Sequence, residues 1–305
     1  MTAPAQEDNS VMATTPSRTW RVGGVEVTIA VDRSLAERIK GLPGARWIAT
    51  TPPLLINGEP PLDGIEMTDI DWYHTIDLGN GVVTPGFLDH RGQLDQYGLP
   101  ESLAGMRCLD AATCDGFWAF EMERRGAAEV VGIDVFSLAD CDFPMNWRDD
   151  LLRHRKNEIK GQGFAYARRA LQSRVKRKVL SVYDLSPARV GTFDFVFLSD
   201  VLLHLKEPMR ALEALRSVAR GDGIIADMYD TELEPGGFPM AARLIMSHER
   251  PDDYSGYFWW SHSPSYLQSM LLLAGFTKAE QTGTLVLDTR IGYQVPKVIF
   301  KVSTR

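Results

Sequence analysis

Three carboxylates stand where apolar runs end: Asp110 closing Met106–Asp110, Asp134 closing Val130–Asp134, and Asp184 after Val179–Val182. Taken singly, each is as well explained as a turn residue. Three in succession favour an adenosyl ligand. The Asp134 carboxylate, followed by Val135, can accept hydrogen bonds from two ribose hydroxyls. Asp184, with the main chain at Leu185, can accept from the exocyclic amine of adenine. After the first run comes Asp110-Ala111-Ala112-Thr113-Cys114-Asp115-Gly116. Its small residues let the backbone pass close to a ligand, although Ala112 and Cys114 stand where such loops usually have glycine. The stretch also lacks the G-x-G-x-x-G pattern of dinucleotide sites, and no phosphate-loop lysine follows. Acidic surroundings repel a phosphate and suit a cation, which points to the sulfonium of S-adenosyl-L-methionine, with S-adenosylhomocysteine as its product.

Chemistry at such a cation is an in-line displacement, so the protein must align an acceptor and, for a hydroxyl, remove a proton. Ser199, Asp200 and His204 follow the run Phe193–Leu198. An imidazole suits a general base near neutral pH, though His204 in that position can also simply pack its loop. Asp200 can orient it, or can hold a divalent metal with Asp227 or Asp230; strand-end acids alone specify no coordination sphere. Tyr73 and His74 lie upstream, as acid/base groups or as part of a lid. The stretch Tyr254-Ser255-Gly256-Tyr257-Phe258-Trp259-Trp260-Ser261-His262 can wall an acceptor or belong to the core.

The elements that would position these groups alternate. Apolar runs at 106–110, 130–134, 179–182, 193–198 and 223–227 read as strands. Helices are expected at 117–125, closed by Gly126, at 163–174, from Pro208 to Arg220 with a stop at Gly221, and from Ser263–Pro264 to Ala274. Two last strands, 284–287 and 295–302, can pair as an antiparallel hairpin. The pattern predicts an α/β fold, a doubly wound, Rossmann-like seven-stranded sheet with a terminal antiparallel hairpin, over residues 99–305. Residues 1–18 are expected to be a disordered tail and 19–98 an irregular N-terminal extension or lid. That extension holds a strand from Trp20 to Val31, a short helix from Leu35 to Lys40 and a loop from Gly41 to Gly64.

Composition narrows the partners. The 305 residues carry a net charge of −7, which gives no overall footprint for nucleic acid. The basic stretch Arg168, Arg169, Arg174, Lys176, Arg177, Lys178 reads as the solvated side of a helix. Three cysteines, Cys108, Cys114 and Cys141, lack metal-ligand spacing. The N-terminus has no signal-peptide character, and no apolar run reaches the ~18 residues of a membrane span. These features point to a soluble cytoplasmic protein with a small-molecule acceptor, nucleic acid and membrane disfavoured, and a homodimer contact available to residues 20–70.

Separated motifs also agree in order with a known family. Trp72-Tyr73-His74-Thr75-Ile76-Asp77-Leu78-Gly79, Thr84-Pro85-Gly86, Leu109–Asp110 through Gly116-Phe117-Trp118-Ala119-Phe120-Glu121, and Ser199-Asp200-Val201-Leu202-Leu203-His204-Leu205 resemble one family of class I methyltransferases. It is related to bacterial tRNA wobble-uridine (carboxy)methyltransferases and to small sugar and natural-product O-methyltransferases. The resemblance implies that Asp110, Ala112 and Gly116 hold the methionine moiety, Asp134 the ribose, Asp184 the adenine, and that Ser199 lies under the sulfonium. The tRNA-modifying members carry a lysine between tryptophans that reads a carboxylated cofactor; here the region is Phe87-Leu88-Asp89-His90-Arg91-Gly92. They also carry a tyrosine where Leu203 stands. Both departures favour ordinary S-adenosyl-L-methionine, with Arg91 free to meet the methionine carboxylate. The expected activity is methylation of a hydroxyl on a small polar metabolite. N- or carboxyl-methylation, tRNA modification and non-catalytic binding of an adenosyl ligand stand as alternatives.

Overall fold

The computed structural model describes residues 17–22, 25–30, 59–60, 62, 64–144, 159–233, 241–245 and 258–305. The expected helix at Leu35–Lys40 and the aromatics Tyr254 and Tyr257 lie outside these residues. Two compact units divide at Pro53/Leu54. The first contains a hairpin of β1 (Ser17–Val22) and β2 (Val25–Ala30), with Trp20 opposite Val27. The alternating stretch expected as one strand from Trp20 to Val31 is thus two arms, with Gly23-Gly24 between them in sequence, a hairpin signal.

In the second unit a short hairpin, β3 (Asp77–Gly79) with β4 (Val82–Val83), precedes the main sheet. There follow β5 (Arg107–Ala111), α1 (Phe117–Arg124), β6 (Glu129–Asp134), α2 (Gln162–Ala170), β7 (Lys176–Val179) and α3 (Pro187–Val190). The chain continues through β8 (Phe193–Ser199), α4 (Pro208–Val218) and β9 (Ala219–Met228), then a small hairpin of β10 (Ala242–Leu244) and β11 (Trp260–His262). It ends with α5 (Pro264–Leu273), β12 (Lys278–Asp288) and β13 (Gln294–Ser303). Seven strands form one sheet in the order β12-β13-β9-β8-β5-β6-β7. Strands β5 to β9 pair in parallel, and β13 runs antiparallel to both neighbours. The expected sheet and closing hairpin are present.

Alternation along the strands buries both faces. In β8, Val196 and Leu198 join one core with Leu212 and Leu215 of α4 and Leu271 of α5. Phe195 and Phe197 join the other, with Phe117 and Trp118 of α1 and Phe164 of α2. Trp72, Leu88 and Tyr97 belong to that second core, so the segment just before β5 packs as part of the sheet's own unit.

Several boundaries differ from expectation. Strand β7 starts at Lys176, so Lys176, Arg177 and Lys178 lie on an edge strand and not on a helix; α2 ends at Ala170. Charged side chains protect such an edge from further pairing. Helix α4 stops at Val218, and Gly221 lies inside β9, where a Cβ would fall 2.2 Å from the Asp194 carbonyl oxygen. That glycine serves close strand packing, not helix termination. Among the described residues no helix is long and apolar enough to cross a membrane.

Candidate active site

Strand order reverses between β5 and β8, and a ligand crevice belongs at the carboxyl ends of the strands flanking such a switch point. A cavity of about 180 Å³ opens there. Its wall includes Tyr73, His74, Asp110, Ala112, Asp134, Val135, Ser199, Asp200 and His204.

The loop after β5 explains the missing glycines. Ala112 and Cys114 adopt φ of 61° and 51°, the left-handed conformation that glycine takes most readily. The backbone form is kept and its strain is tolerated because the loop is tied down. Thr113 donates its amide to the Ile133 carbonyl (2.8 Å) and its hydroxyl to Asp110 (2.6 Å). A Cβ on Gly132 would fall 2.8 Å from that hydroxyl, so glycine there makes room for Thr113. Asp134 accepts from the amides of Cys114 (2.9 Å) and Val135 (2.8 Å), with Lys160 Nζ at 3.6 Å. Burial pushes the Asp110 carboxyl up to about 7, against the Thr113 hydrogen bond, which lowers it.

Against this loop the chain runs Tyr73–His74. Asp115 holds both: one carboxylate oxygen accepts from the amides of Tyr73 (3.0 Å) and His74 (2.7 Å), and the other bonds His74 Nδ1. Thr84 and Gly86 clamp this segment from outside. Thr84 Oγ1 donates to the His74 carbonyl (2.8 Å) and accepts from the Ile76 amide (2.7 Å). A Cβ on Gly86 would lie 2.1 Å from the His74 carbonyl carbon. Asp200, at φ 56°, binds Lys297 Nζ and accepts from the Ser199 hydroxyl (3.2 Å). Lys297 is fully buried.

Five expected residues stand outside the cavity wall. Asp184 is exposed, with Arg189 at 3.6 Å, and Leu185 is buried in the core. Because β7 ends earlier than expected, Leu180 to Tyr183 provide that part of the wall. Arg91 is paired in bidentate fashion with exposed Asp89 (2.9 and 2.7 Å). Ala111 is core. Gly116, at φ 92°, is small because a Cβ would meet Phe120 at 2.6 Å and Phe164 at 2.7 Å.

Asp200, expected to orient His204, binds Lys297, and the His204 ring faces Phe258, ring centres 5.2 Å apart. Asp227 spends its carboxylate on the amides of Leu202 and Met228, both at 2.8 Å. Among the described residues no group of three or more His, Cys, Asp or Glu side chains is placed to hold a metal ion.

Sequence reasoning missed Lys297, the role of Asp115, and the wall residues Trp118, Lys160 and Tyr183. A lysine beside the apolar run Val298-Ile299-Phe300 was the available signal, since lysine is almost never fully buried without a partner. Trp259 ties two segments together: its amide donates to the Leu203 carbonyl (2.7 Å) and its indole to the Asp142 carbonyl (2.5 Å).

Residues 92–281, more than half of the chain, match the methyltransferase domain family. The chain belongs to that family. A curated relative, the tRNA U34 carboxymethyltransferase of Methylococcus capsulatus, is 29% identical over 178 residues, 58% of this chain. The match spans 46% of that relative's length. Among solved structures, the N-terminal domain of EvdMO1, crystallised with SAH and D-fucose, aligns with a TM-score of 0.50. It is 17% identical over 77% of this chain and 91% of that one, a likeness of fold. A methyltransferase domain of this kind accounts for a sheet whose switch-point cavity carries acids where a nucleotide site would carry glycines and a lysine.

Proposed function

We propose that this methyltransferase-domain protein binds S-adenosyl-L-methionine in the switch-point cavity and methylates a hydroxyl of a small polar molecule. The observation that carries the reading is Asp134: buried at the end of β6, fixed by two backbone amides, with lone pairs left for two ribose hydroxyls. The surroundings fit the cofactor. Ala112 and Cys114 bring the backbone to the cavity, and Asp110, Asp134, Asp140, Asp142 and Asp200 give the wall an acidic character that suits a sulfonium. The cofactor supplies a methyl group already activated by positive sulfur. The chain's own part is to align the acceptor and take its proton, which we assign to His204, with Phe258 and Trp259 on the acceptor side.

The test is transfer of a labelled methyl group to a panel of sugars, phenols and hydroxylated metabolites, with the methylated atom identified by NMR. His204→Ala should lower kcat about 100-fold or more. Methylation of nitrogen or of a carboxylate, or full activity in the variant, would remove the hydroxyl assignment. A second reading, modification of a tRNA wobble base, is favoured by the curated relative. It predicts tRNA binding that weakens steeply with salt.

A further inference from the structure

The amino-acid end of S-adenosyl-L-methionine carries a carboxylate, and Arg91, the residue expected to meet it, is tied to Asp89 outside the cavity wall. Both lysines near the site already have carboxylate partners. Lys297 is bound to Asp200, and Lys160 lies 3.6 Å from Asp134. His204 faces Phe258. A basic side chain bonded directly to the Asp110–Gly116 loop is His74. Its ring lies 5.3 Å from that of Phe117, the first residue of α1, with planes only 18° apart. Its Nδ1 is bonded to Asp115, whose second oxygen is itself fixed by the Tyr73 and His74 amides, so the imidazole is held in one orientation. Among the described residues Nε2 has no hydrogen-bond partner, and the residue lines the cavity.

Resting on the cofactor reading above, we propose that His74, oriented by Asp115, is an anion subsite that holds the carboxylate at the amino-acid end of the bound cofactor. In this arrangement both ring nitrogens donate, Nδ1 to Asp115 and Nε2 to the bound carboxylate. The other groups around the ring agree with a cation there. Asp110 stands at the end of β5, its carboxyl pushed up to about 7 by burial against the lowering effect of His74; Tyr73 is the adjacent residue, and burial holds its phenol in the neutral form. His90, its ring 5.3 Å away, is kept neutral chiefly by burial, and Lys297 adds to that effect. On this assignment His74 is a binding group, not a second base.

The test compares two ligands by calorimetry: S-adenosylhomocysteine, and 5′-methylthioadenosine, which keeps the adenosine and thioether but lacks the amino-acid end. His74→Ala should weaken S-adenosylhomocysteine about 10-fold or more, the scale of a charge-assisted hydrogen bond, while 5′-methylthioadenosine stays within about twofold. His74→Gln, which keeps one donor without the charge, should fall between wild type and His74→Ala. Unchanged affinity for S-adenosylhomocysteine overturns the proposal. So does an equal loss for both ligands in both variants, which would make His74 merely structural. Failure of the wild-type protein to bind either ligand is a separate result, and refutes the cofactor reading itself.

Discussion

Two groups of side chains in the cavity wall are held in different ways. After β5 and β6, acids are held by donors of the adjoining loops: Asp134 by the Cys114 and Val135 amides, and Asp110 by the Thr113 hydroxyl. In the second group the side chains depend on partners far away in sequence, His74 on Asp115 and Asp200 on Lys297. Sheet topology brings Asp110, Asp134 and Asp200 to the carboxyl ends of their strands. The partners of the second group arrive only after distant segments have packed. A buried ion pair with one partner removed leaves an uncompensated charge, so the second group should be the more fragile.

The largest effect expected from this contrast is at Lys297. Lys297→Met strands Asp200 beside Asp227 and should cost about 3–5 kcal/mol in denaturant unfolding. A loss below about 1 kcal/mol would erase the contrast. Gly86→Ala should come next, at roughly 1–3 kcal/mol, because the added methyl cannot fit against the His74 backbone. It should also weaken S-adenosylhomocysteine more than 5′-methylthioadenosine, since it displaces only the His74 segment.

Asp110 tests the first group through pH. Its carboxyl titrates near 7 when folded, against an ordinary value of 3.8. The folded protein therefore holds a proton that the unfolded chain gives up, and this contribution to stability fades as pH rises from about 4 to about 7. Asp227 is raised to about 7 as well, first by burial and then by Asp200, and acts with the same sign. Melting temperature should fall between pH 5 and pH 8, and Asp110→Asn should flatten part of that slope. The smallest effect belongs to Arg91→Ala. An exposed pair with Asp89 should cost under about 0.5 kcal/mol and leave ligand affinity unchanged.

The same contrast decides what was legible in the sequence. Hydrophobic runs and turn residues located six of the seven strands of the sheet and displaced β7, and the topology then placed Asp110, Asp134, Ser199 and His204 at one cavity. Asp184 failed because the β7 boundary was misplaced: Lys176, Arg177 and Lys178 read as a helix face when they form a charged edge strand. Arg91 failed because a local partner, Asp89, satisfies it first. Which residues pair in His74–Asp115 and Asp200–Lys297 carries no local signal, although Lys297 beside an apolar run marks itself as unusual. The pairings span 41 and 97 residues and arise only when α1 packs on the preceding segment and β13 enters the sheet. The Thr84-Pro85-Gly86 motif was visible as a pattern, but its reason, a backbone clamp on His74, emerged only from the packing.

The account rests on Asp134 as the anchor of an adenosyl ligand at the switch point. Calorimetric titration of the wild-type protein and Asp134→Ala with S-adenosyl-L-methionine and S-adenosylhomocysteine tests this most directly. The account predicts saturable one-to-one binding of both ligands to wild type, weakened about 100-fold in the variant by the loss of charge-assisted hydrogen bonds. Absence of binding to wild type, or equal binding to a folded Asp134→Ala variant, would contradict it.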